Sequence, residues 1–391
     1  MVDLTKYMKK EVTAAKASKI LEFNAFASKI PDIVKFTVGE PDFDTPEHIK
    51  EAAIQSIKTT RSHYAPSNGS LELRTAASNF LANKYDQHYD PTNEVIITNG
   101  ATEAIYSALT AILNPGDKVI IPTPIFPLYI ADLTIAGASP IFINTATDGF
   151  KLTPAKLAAA IAENGSAVRA VVLNYPSNPT GVTYTQKELD ALADVLRDKP
   201  IFALCDEIYS ELCYETTHAS LVHSLREQTI LITGVSKSHA MTGWRIGIMC
   251  APFAIANELA KIHQFAITTT SCVTQDAATE ALANGQDDAL PMRDEYKKRR
   301  DFLVSKLSKL GFQCAPPAGA FYLFAKIPAQ LNQNDEEFIY DLAKKARVAV
   351  INGSAFGPGG EGYVRISYAT SMAECEKGMA RLKEYVESTS K

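Results

Sequence analysis

Short apolar runs and longer amphipathic stretches alternate from about Thr45 to about Asn284. The apolar runs are Glu94–Thr98, Lys118–Ile121, Pro140–Ile143, Arg169–Leu173, Pro200–Cys205, Thr229–Thr233 and Ile246–Cys250. Their length and unbroken apolar character predict strands buried on both faces. The stretches between them, such as Thr102–Leu113, Pro154–Glu163 and Gln186–Arg197, carry helical spacing. This alternation predicts an α/β fold: a mostly parallel, mixed sheet of seven strands covered by helices.

Beyond Asn284 the pattern changes. Pro291–Leu310 reads as one long helix. Short strands follow at Ala320–Phe324, Arg347–Ile351 and Tyr363–Ser367, with helices at Asp335–Ala346 and Met372–Val386. Two domains are therefore expected. A large one covers 46–284. A smaller α+β one is made of 1–45 and 285–391, so that it also recruits the N-terminal segment. A length of 391 residues suits this division.

Composition narrows the field. The chain is 46% hydrophobic and 21% charged, with net charge −5, so neither nucleic acid nor an anionic membrane is an expected partner. The one basic block, Lys297-Lys298-Arg299-Arg300, reads as a solvated helix face. Six cysteines stand singly, which fits reduced thiols and gives no zinc site or disulfide framework. The polar start from Met1 to Lys10 lacks the apolar core of a signal peptide. No run reaches the ~18 apolar residues of a membrane span. A cytoplasmic protein is expected.

In an open α/β sheet ligands sit beyond the carboxyl ends of the strands, and there the chemistry concentrates. Glu94–Thr98 is followed by Asn99-Gly100-Ala101-Thr102, small residues that open a helix and leave backbone N–H groups for an anion. Arg169–Leu173 is followed by Asn174-Tyr175-Pro176-Ser177-Asn178-Pro179-Thr180-Gly181, a backbone held by two prolines from which two asparagines project. Pro200–Cys205 leads to Asp206, with Tyr209 three residues on; a carboxylate there calls for a cationic partner. Thr229–Thr233 leads to Gly234-Val235-Ser236-Lys237. A lysine among small and apolar residues loses its charge readily and becomes a nucleophilic amine. Arg245 lies eight residues beyond it, with the fork geometry that suits a phosphate. Arg365 interrupts the apolar strand Tyr363–Tyr368 and can meet a carboxylate. By contrast Gly357-Pro358-Gly359-Gly360-Glu361-Gly362 precedes a strand instead of opening a helix, so it is no dinucleotide fingerprint. An anion cradle, an acid, a phenol, an amine and two guanidinium groups are the groups that pyridoxal 5′-phosphate (PLP) needs: donors for its phosphate, a carboxylate for its ring nitrogen, a lysine for its aldehyde.

In this order, Asn174–Gly181, Asp206 with Tyr209, Ser236-Lys237, Met241-Thr242-Gly243-Trp244-Arg245 and Arg365 resemble the signature of class I/II aminotransferases, PLP fold type I. The resemblance runs from Gly39-Glu40-Pro41-Asp42-Phe43 to Tyr363–Tyr368, nearly the whole chain. Gly39–Lys50, Asn174–Tyr184, Gly234–Gly247 and Asp288–Met292 look most like bacterial aromatic-amino-acid aminotransferases.

The resemblance implies roles. Lys237 binds the cofactor as a Schiff base and then shuttles the proton. Asp206 meets the pyridine nitrogen, while Tyr209 and Asn178 meet the 3′ oxygen. Gly100, Ala101, Thr102, Ser236 and Arg245 form the phosphate site, and Phe126 stacks on the ring where relatives carry Tyr or Trp. Tyr64 reaches the phosphate of a neighbouring subunit, which implies a homodimer with shared sites. Arg365, Asn178 and the backbone of Gly39 hold the substrate carboxylate. Two further departures are Gly234, where some relatives have serine, and Asn352, where proline is common. Substrates are then an amino acid and a 2-oxo acid. The expected donor is aromatic and the acceptor 2-oxoglutarate. An N-acetyl-diaminopimelate or an aspartate aminotransferase is the alternative. Thr102, where one group of dicarboxylate enzymes carries lysine, speaks against an aspartate enzyme. A PLP-dependent C–S β-lyase and a non-catalytic PLP-binding regulator fit the motifs less well.

Overall fold

The computed structural model describes residues 2–15, 18–59 and 61–389. Residues 1, 16, 17, 390 and 391 of the expected smaller domain, and residue 60 of the larger, lie outside the described residues. The chain enters through helix Lys19–Ala27, capped by the Ser18 hydroxyl, and a short strand β1 (Val34–Lys35). The large sheet follows. Its strands are β2 (Val95–Thr98), β3 (Lys118–Thr123), β4 (Ser139–Asn144), β5 (Val168–Asn174), β6 (Phe202–Asp206), β7 (Thr229–Gly234) and β8 (Gly247–Cys250). They lie in the order β2-β8-β7-β6-β5-β3-β4. Only β8 runs antiparallel to its neighbours.

Helices cover both faces of the strands, which are mostly buried; the exception to the expected burial is the edge strand β4, where Ser139, Phe142 and Asn144 are exposed because it has a neighbour on one side only. One face packs Leu73, Ala77 and Leu81 of helix Leu71–Tyr85 against Ile97 and Ile248. Another core layer sets Ile105, Ala108 and Leu109 of helix Ala101–Ile112 against Ile230, Ile232 and Met249. The connecting helices start where the sequence signals them. Thr185 and Glu188 form a reciprocal capping box on helix Gln186–Leu196. Thr153 caps helix Pro154–Asn164, with proline in its first turn.

The C-terminal part adds a four-stranded antiparallel sheet from β9 (Gln313–Cys314), β10 (Tyr322–Lys326), β12 (Ile351–Asn352) and β13 (Tyr363–Ser367). The remaining strand, β11 (Val348–Ala349), pairs in parallel with β1. The single strand expected over Arg347–Ile351 is thus two. Val348 and Ala349 bond to the N-terminal segment, while Ile351 and Asn352 bond to β13; a strand cannot hold both partners in one register, so it breaks at Val350. Phe23 and Ala27 of helix Lys19–Ala27 pack into the same core as Phe324, Leu342 and Tyr385.

The basic block also departs from expectation. It lies on helix Ala289–Lys309, but Arg299 and Arg300 are buried. Arg299 donates to both Asp42 oxygens at 2.8 and 2.9 Å. Arg300 donates to both Glu215 oxygens at 2.8 and 2.5 Å. Each also meets a near neighbour, Glu295 or Asp301, but Asp42 and Glu215 lie far off in the chain, so only folding reveals them; Lys297 and Lys298 form the solvated edge. All six cysteines are free. Among the described residues no helix is long and apolar enough to cross a membrane, and no metal-ligand cluster forms.

Candidate active site

The antiparallel course of β8 assembles the site. The carboxyl ends of β2, β5, β6 and β7 share one edge of the sheet, and β8 begins at that edge. Gly247 pairs with both Thr98 and Gly234. The turn before β8 therefore brings Arg245 to the residues that follow β2, and the residues that follow β7 carry Lys237 beside them. A cavity of about 380 Å³ lies there, against the C-terminal part of the chain.

Lys237 sits on the short helix Val235–Ser238. Its Nζ donates to the Gly39 carbonyl at 2.6 Å and lies 5.8 Å from the ring centres of Tyr209 and Phe321. Burial pushes the amine down to about 8. The Arg245 and Arg365 charges push the same way, against Glu40 and Asp206. Asp206 ends β6. Its Oδ2 accepts from the Tyr129 phenol at 2.5 Å and its Oδ1 from the Ile208 N–H at 3.1 Å. Burial lifts this carboxyl to about 6, although Tyr129, Ile208 and Lys237 all favour its charge. Tyr209 bonds to Tyr322 through their hydroxyls at 2.9 Å.

Gly100 caps helix Ala101–Ile112 with no side-chain partner, so the first N–H groups of the helix remain free for an anion. Its φ is +78°, and an added Cβ would stand 2.2 Å from Arg245 Nη2. Glycine is needed both for the turn and for the guanidinium that lies against it. Arg245 Nη1 otherwise donates to the Thr242 carbonyl at 2.9 Å. Gly234 is explained by space as well: a Cβ there would meet the Ile246 carbonyl at 2.8 Å, so a serine would collide with the adjacent strand. Asn352 turns its amide onto Ser354 Oγ at 2.8 Å.

Arg365, on β13, is 3% exposed. Its Nη1 donates to Asn178 Oδ1 at 3.1 Å and its Nη2 to the Thr37 carbonyl at 2.7 Å. Nε has no partner. Asn178 is held in turn by its N–H on Asn174 Oδ1 at 2.8 Å. The Tyr322 and Phe356 rings flank the guanidinium at 4.7 and 5.1 Å.

Of the residues singled out from sequence, Gly39, Ala101, Thr102, Phe126, Asn178, Asp206, Tyr209, Ser236, Lys237, Arg245 and Arg365 line this one cavity. Gly100 backs it. Tyr64 does not enter it: the side chain stands 86% exposed, on a separate surface with Arg61 and Cys272. Sequence reasoning missed Tyr129, Tyr322, the Thr37 carbonyl and the apolar wall of Ile20, Leu21, Ile105 and Leu128. Tyr129 lies one turn beyond the Pro124-Ile125-Phe126-Pro127 turn, a signal that could have found it; the others approach only through tertiary packing.

Charge shows what the cavity awaits. Among the described residues lining it, three are cationic (Lys237, Arg245 and Arg365) and one, Asp206, is acidic. Neither arginine forms an ion pair among the described residues. A buried guanidinium at Arg365 and a half-buried one at Arg245, both without ion pairs, call for anions. Two anion sites flank a buried amine, and an acid faces the same space.

The chain matches the family "Aminotransferase class I and II" over residues 31–382. A probable N-acetyl-LL-diaminopimelate aminotransferase from Bacillus subtilis is 44% identical, covering 94% of this chain and 93% of its own. An aspartate aminotransferase from Pyrococcus horikoshii is 39% identical, covering 97% of both chains. The crystal structure of an aromatic aminotransferase from Pyrococcus horikoshii OT3 superposes with a TM-score of 0.86 at 35% identity, covering 94% of this chain and 99% of that one. The chain belongs to the class I and II aminotransferases, and it is a PLP-dependent enzyme of fold type I. The expectation of particular nearness to aromatic-amino-acid enzymes holds only in part, since relatives named for diaminopimelate and aspartate chemistry are more alike in sequence.

The residues present fit PLP. The glycine-lined cradle at Gly100, closed to any Cβ, and the unpaired Arg245 suit its phosphate. The buried carboxyl of Asp206 suits its ring nitrogen, and the amine of Lys237, lowered to about 8, its aldehyde.

Proposed function

We propose that this aminotransferase takes its amino group from an aromatic amino acid and passes it to a 2-oxo acid, with 2-oxoglutarate as acceptor. One observation carries the reading: the cavity wall formed by Ile20, Leu21, Ile105, Phe126 and Leu128 is apolar, and its three cations already have tasks. Arg245 serves the phosphate and Lys237 the aldehyde. Arg365 serves the α-carboxylate, which leaves no cation of this chain for a second carboxylate.

When bound, PLP supplies an electron sink for the charge that develops at the substrate Cα. The Ala101 and Thr102 N–H groups, Ser236 and Arg245 would hold its phosphate. Tyr209 and Asn178 would hold its 3′ oxygen and Asp206 its ring nitrogen, with Phe126 packing against the ring. Arg365 grips the substrate carboxylate with two parallel N–H donors, oriented by Asn178 and Thr37. Gly39 offers its backbone to the same end. Lys237 Nζ, whose pKa burial lowers to about 8, would take the proton from Cα and return it two atoms further along. The Gly39 carbonyl fixes where Nζ waits. Tyr64, too exposed to serve its own subunit, reaches the phosphate of a second copy in a homodimer.

A second reading has its own support: the 44% identity to a probable N-acetyl-LL-diaminopimelate enzyme. A donor panel with 2-oxoglutarate separates the two. Phenylalanine, tyrosine and tryptophan should give the highest kcat/KM, with N-acetyl-LL-diaminopimelate and aspartate well below. A clear preference for N-acetyl-LL-diaminopimelate would overturn the aromatic reading and leave the transaminase intact.

A further inference from the structure

Behind the phosphate cradle lies a buried ion pair that the reaction does not use. Glu103 follows Thr102 in the first turn of helix Ala101–Ile112. Its Oε2 accepts the N–H of Asn99 at 3.1 Å, and its Oε1 accepts the Ser107 hydroxyl at 2.5 Å. The carboxylate is thus tied to the turn that leads directly into Ala101 and Thr102, which line the cavity. His263, on helix Phe253–Ile267, is fully buried. Its Nδ1 lies 3.1 and 3.3 Å from the two Glu103 oxygens, and its Nε2 lies 2.8 Å from the Ser67 carbonyl.

A carbonyl can only accept, so Nε2 carries a proton. The other nitrogen faces a carboxylate and carries one too, which makes the ring an imidazolium. Burial opposes the charge on both partners. Even so, His263, Ser107 and Asn99 hold Glu103 below its ordinary range, and Glu103 holds His263 above its own.

An uncompensated carboxylate at this point would sit next to an incoming phosphate dianion and cancel much of the attraction of the helix start. We propose that His263 is a positioning residue for the cofactor phosphate: its imidazolium neutralises Glu103, so that Glu103 can brace the cradle through Asn99 without repelling the anion the cradle binds. The same ring holds Ser67, three residues after Tyr64, and so joins the cradle to the loop that bears Tyr64. The inference rests on the reading that Ala101, Thr102 and Arg245 form the phosphate site.

The test is equilibrium binding of PLP, and separately of pyridoxal, which lacks the phosphate, to the full-length protein, followed by fluorescence of the single tryptophan, Trp244. His263→Gln should weaken PLP by about tenfold or more, the scale of one charge–charge contact in a partly screened site, and leave pyridoxal unchanged. Glu103→Gln keeps the acceptor for Asn99 and should bind PLP at least as well as the parent. The double variant His263→Gln/Glu103→Gln should recover the lost affinity. The proposal is overturned if His263→Gln binds PLP like the parent, if it loses PLP and pyridoxal alike, or if the double variant stays as weak as the single. Should His263→Gln fail to fold, Glu103→Gln decides alone, since weakened PLP binding there means the pair is only structural. Arg245→Ala separates the underlying reading: if it leaves the PLP-to-pyridoxal ratio unchanged, the phosphate site itself has been misplaced.

Discussion

Tyr129 donates its phenol proton to Asp206 Oδ2 at 2.5 Å, and both side chains are buried. The bond lowers the cost of keeping a carboxylate charged at the end of a covered strand. Removing it while keeping the ring isolates its contribution. Tyr129→Phe should fold normally, lose about tenfold in kcat and bind PLP more weakly, on the scale of one charge-assisted hydrogen bond. Unchanged kcat and affinity would show that Asp206 needs no help from Tyr129.

Asp206 also makes a stability prediction for the cofactor-free protein. Its carboxyl is pushed from 3.8 up to about 6, first by burial. A raised carboxyl penalises the folded state once it ionises: the penalty is absent below about pH 4, grows between 4 and 6, and is complete above 6. Two units correspond to about 3 kcal/mol. Asp206→Asn should therefore be more stable than the parent above pH 6, by up to that amount, with the gap closing at pH 4. Denaturant melts across this range check it; a gap independent of pH contradicts the assignment. Turnover should meanwhile collapse.

Lys237 should betray its lowered amine directly. Without cofactor, the neutral fraction grows as the pH rises through about 8. Acylation of Lys237, followed by mass spectrometry, should have its midpoint there. A Lys237 midpoint near 10 would mean that the amine is solvated.

Arg365→Ala should raise KM for amino and oxo acid substrates alike. The expected factor is about ten to a hundred, as for losing one charged hydrogen-bond partner. Arg365→Lys should recover little of it, since an ammonium cannot reproduce the planar fork held between Asn178 and Thr37. Steady-state kinetics with both substrate types check this; a change confined to one type would make Arg365 a side-chain contact.

Gly100→Ala should cost cofactor affinity more than fold. The added methyl would stand 2.2 Å from Arg245 Nη2 at a φ of +78°, so either the turn or the guanidinium must move. Cofactor titration should show weaker PLP binding with secondary structure retained in circular dichroism. Parent-like affinity would show that Arg245 can shift without loss.

The legibility of the site follows from how each residue is placed. Lys237, Asp206, Asn178 and Gly100 each come just after an apolar run, so the rule that ligands bind beyond strand ends finds them in the linear chain. Arg365 stands out as a charge inside an apolar strand. The Thr37 carbonyl and His263 carry no such mark, because a backbone oxygen and a lone histidine look the same in core and site alike. The basic block misled for the same reason: burial of Arg299 and Arg300 depends on Asp42 and Glu215, 257 and 85 residues away.

The sequence by itself determined the seven strands of the large sheet, the order of the chemical groups along them and the cofactor those groups can hold. These depend on local periodicity and on residue type, which a linear chain carries in full. Only the tertiary structure decided that β8 runs backwards and delivers Arg245 to the edge where Gly100 opens a helix. It alone decided that β1 lays Thr37 and Gly39 across Arg365 and Lys237, and that Lys237 is buried deeply enough to give up its proton near pH 8. Those outcomes depend on strand pairing and on the desolvation of charges by distant residues, quantities that exist only once the chain has closed on itself.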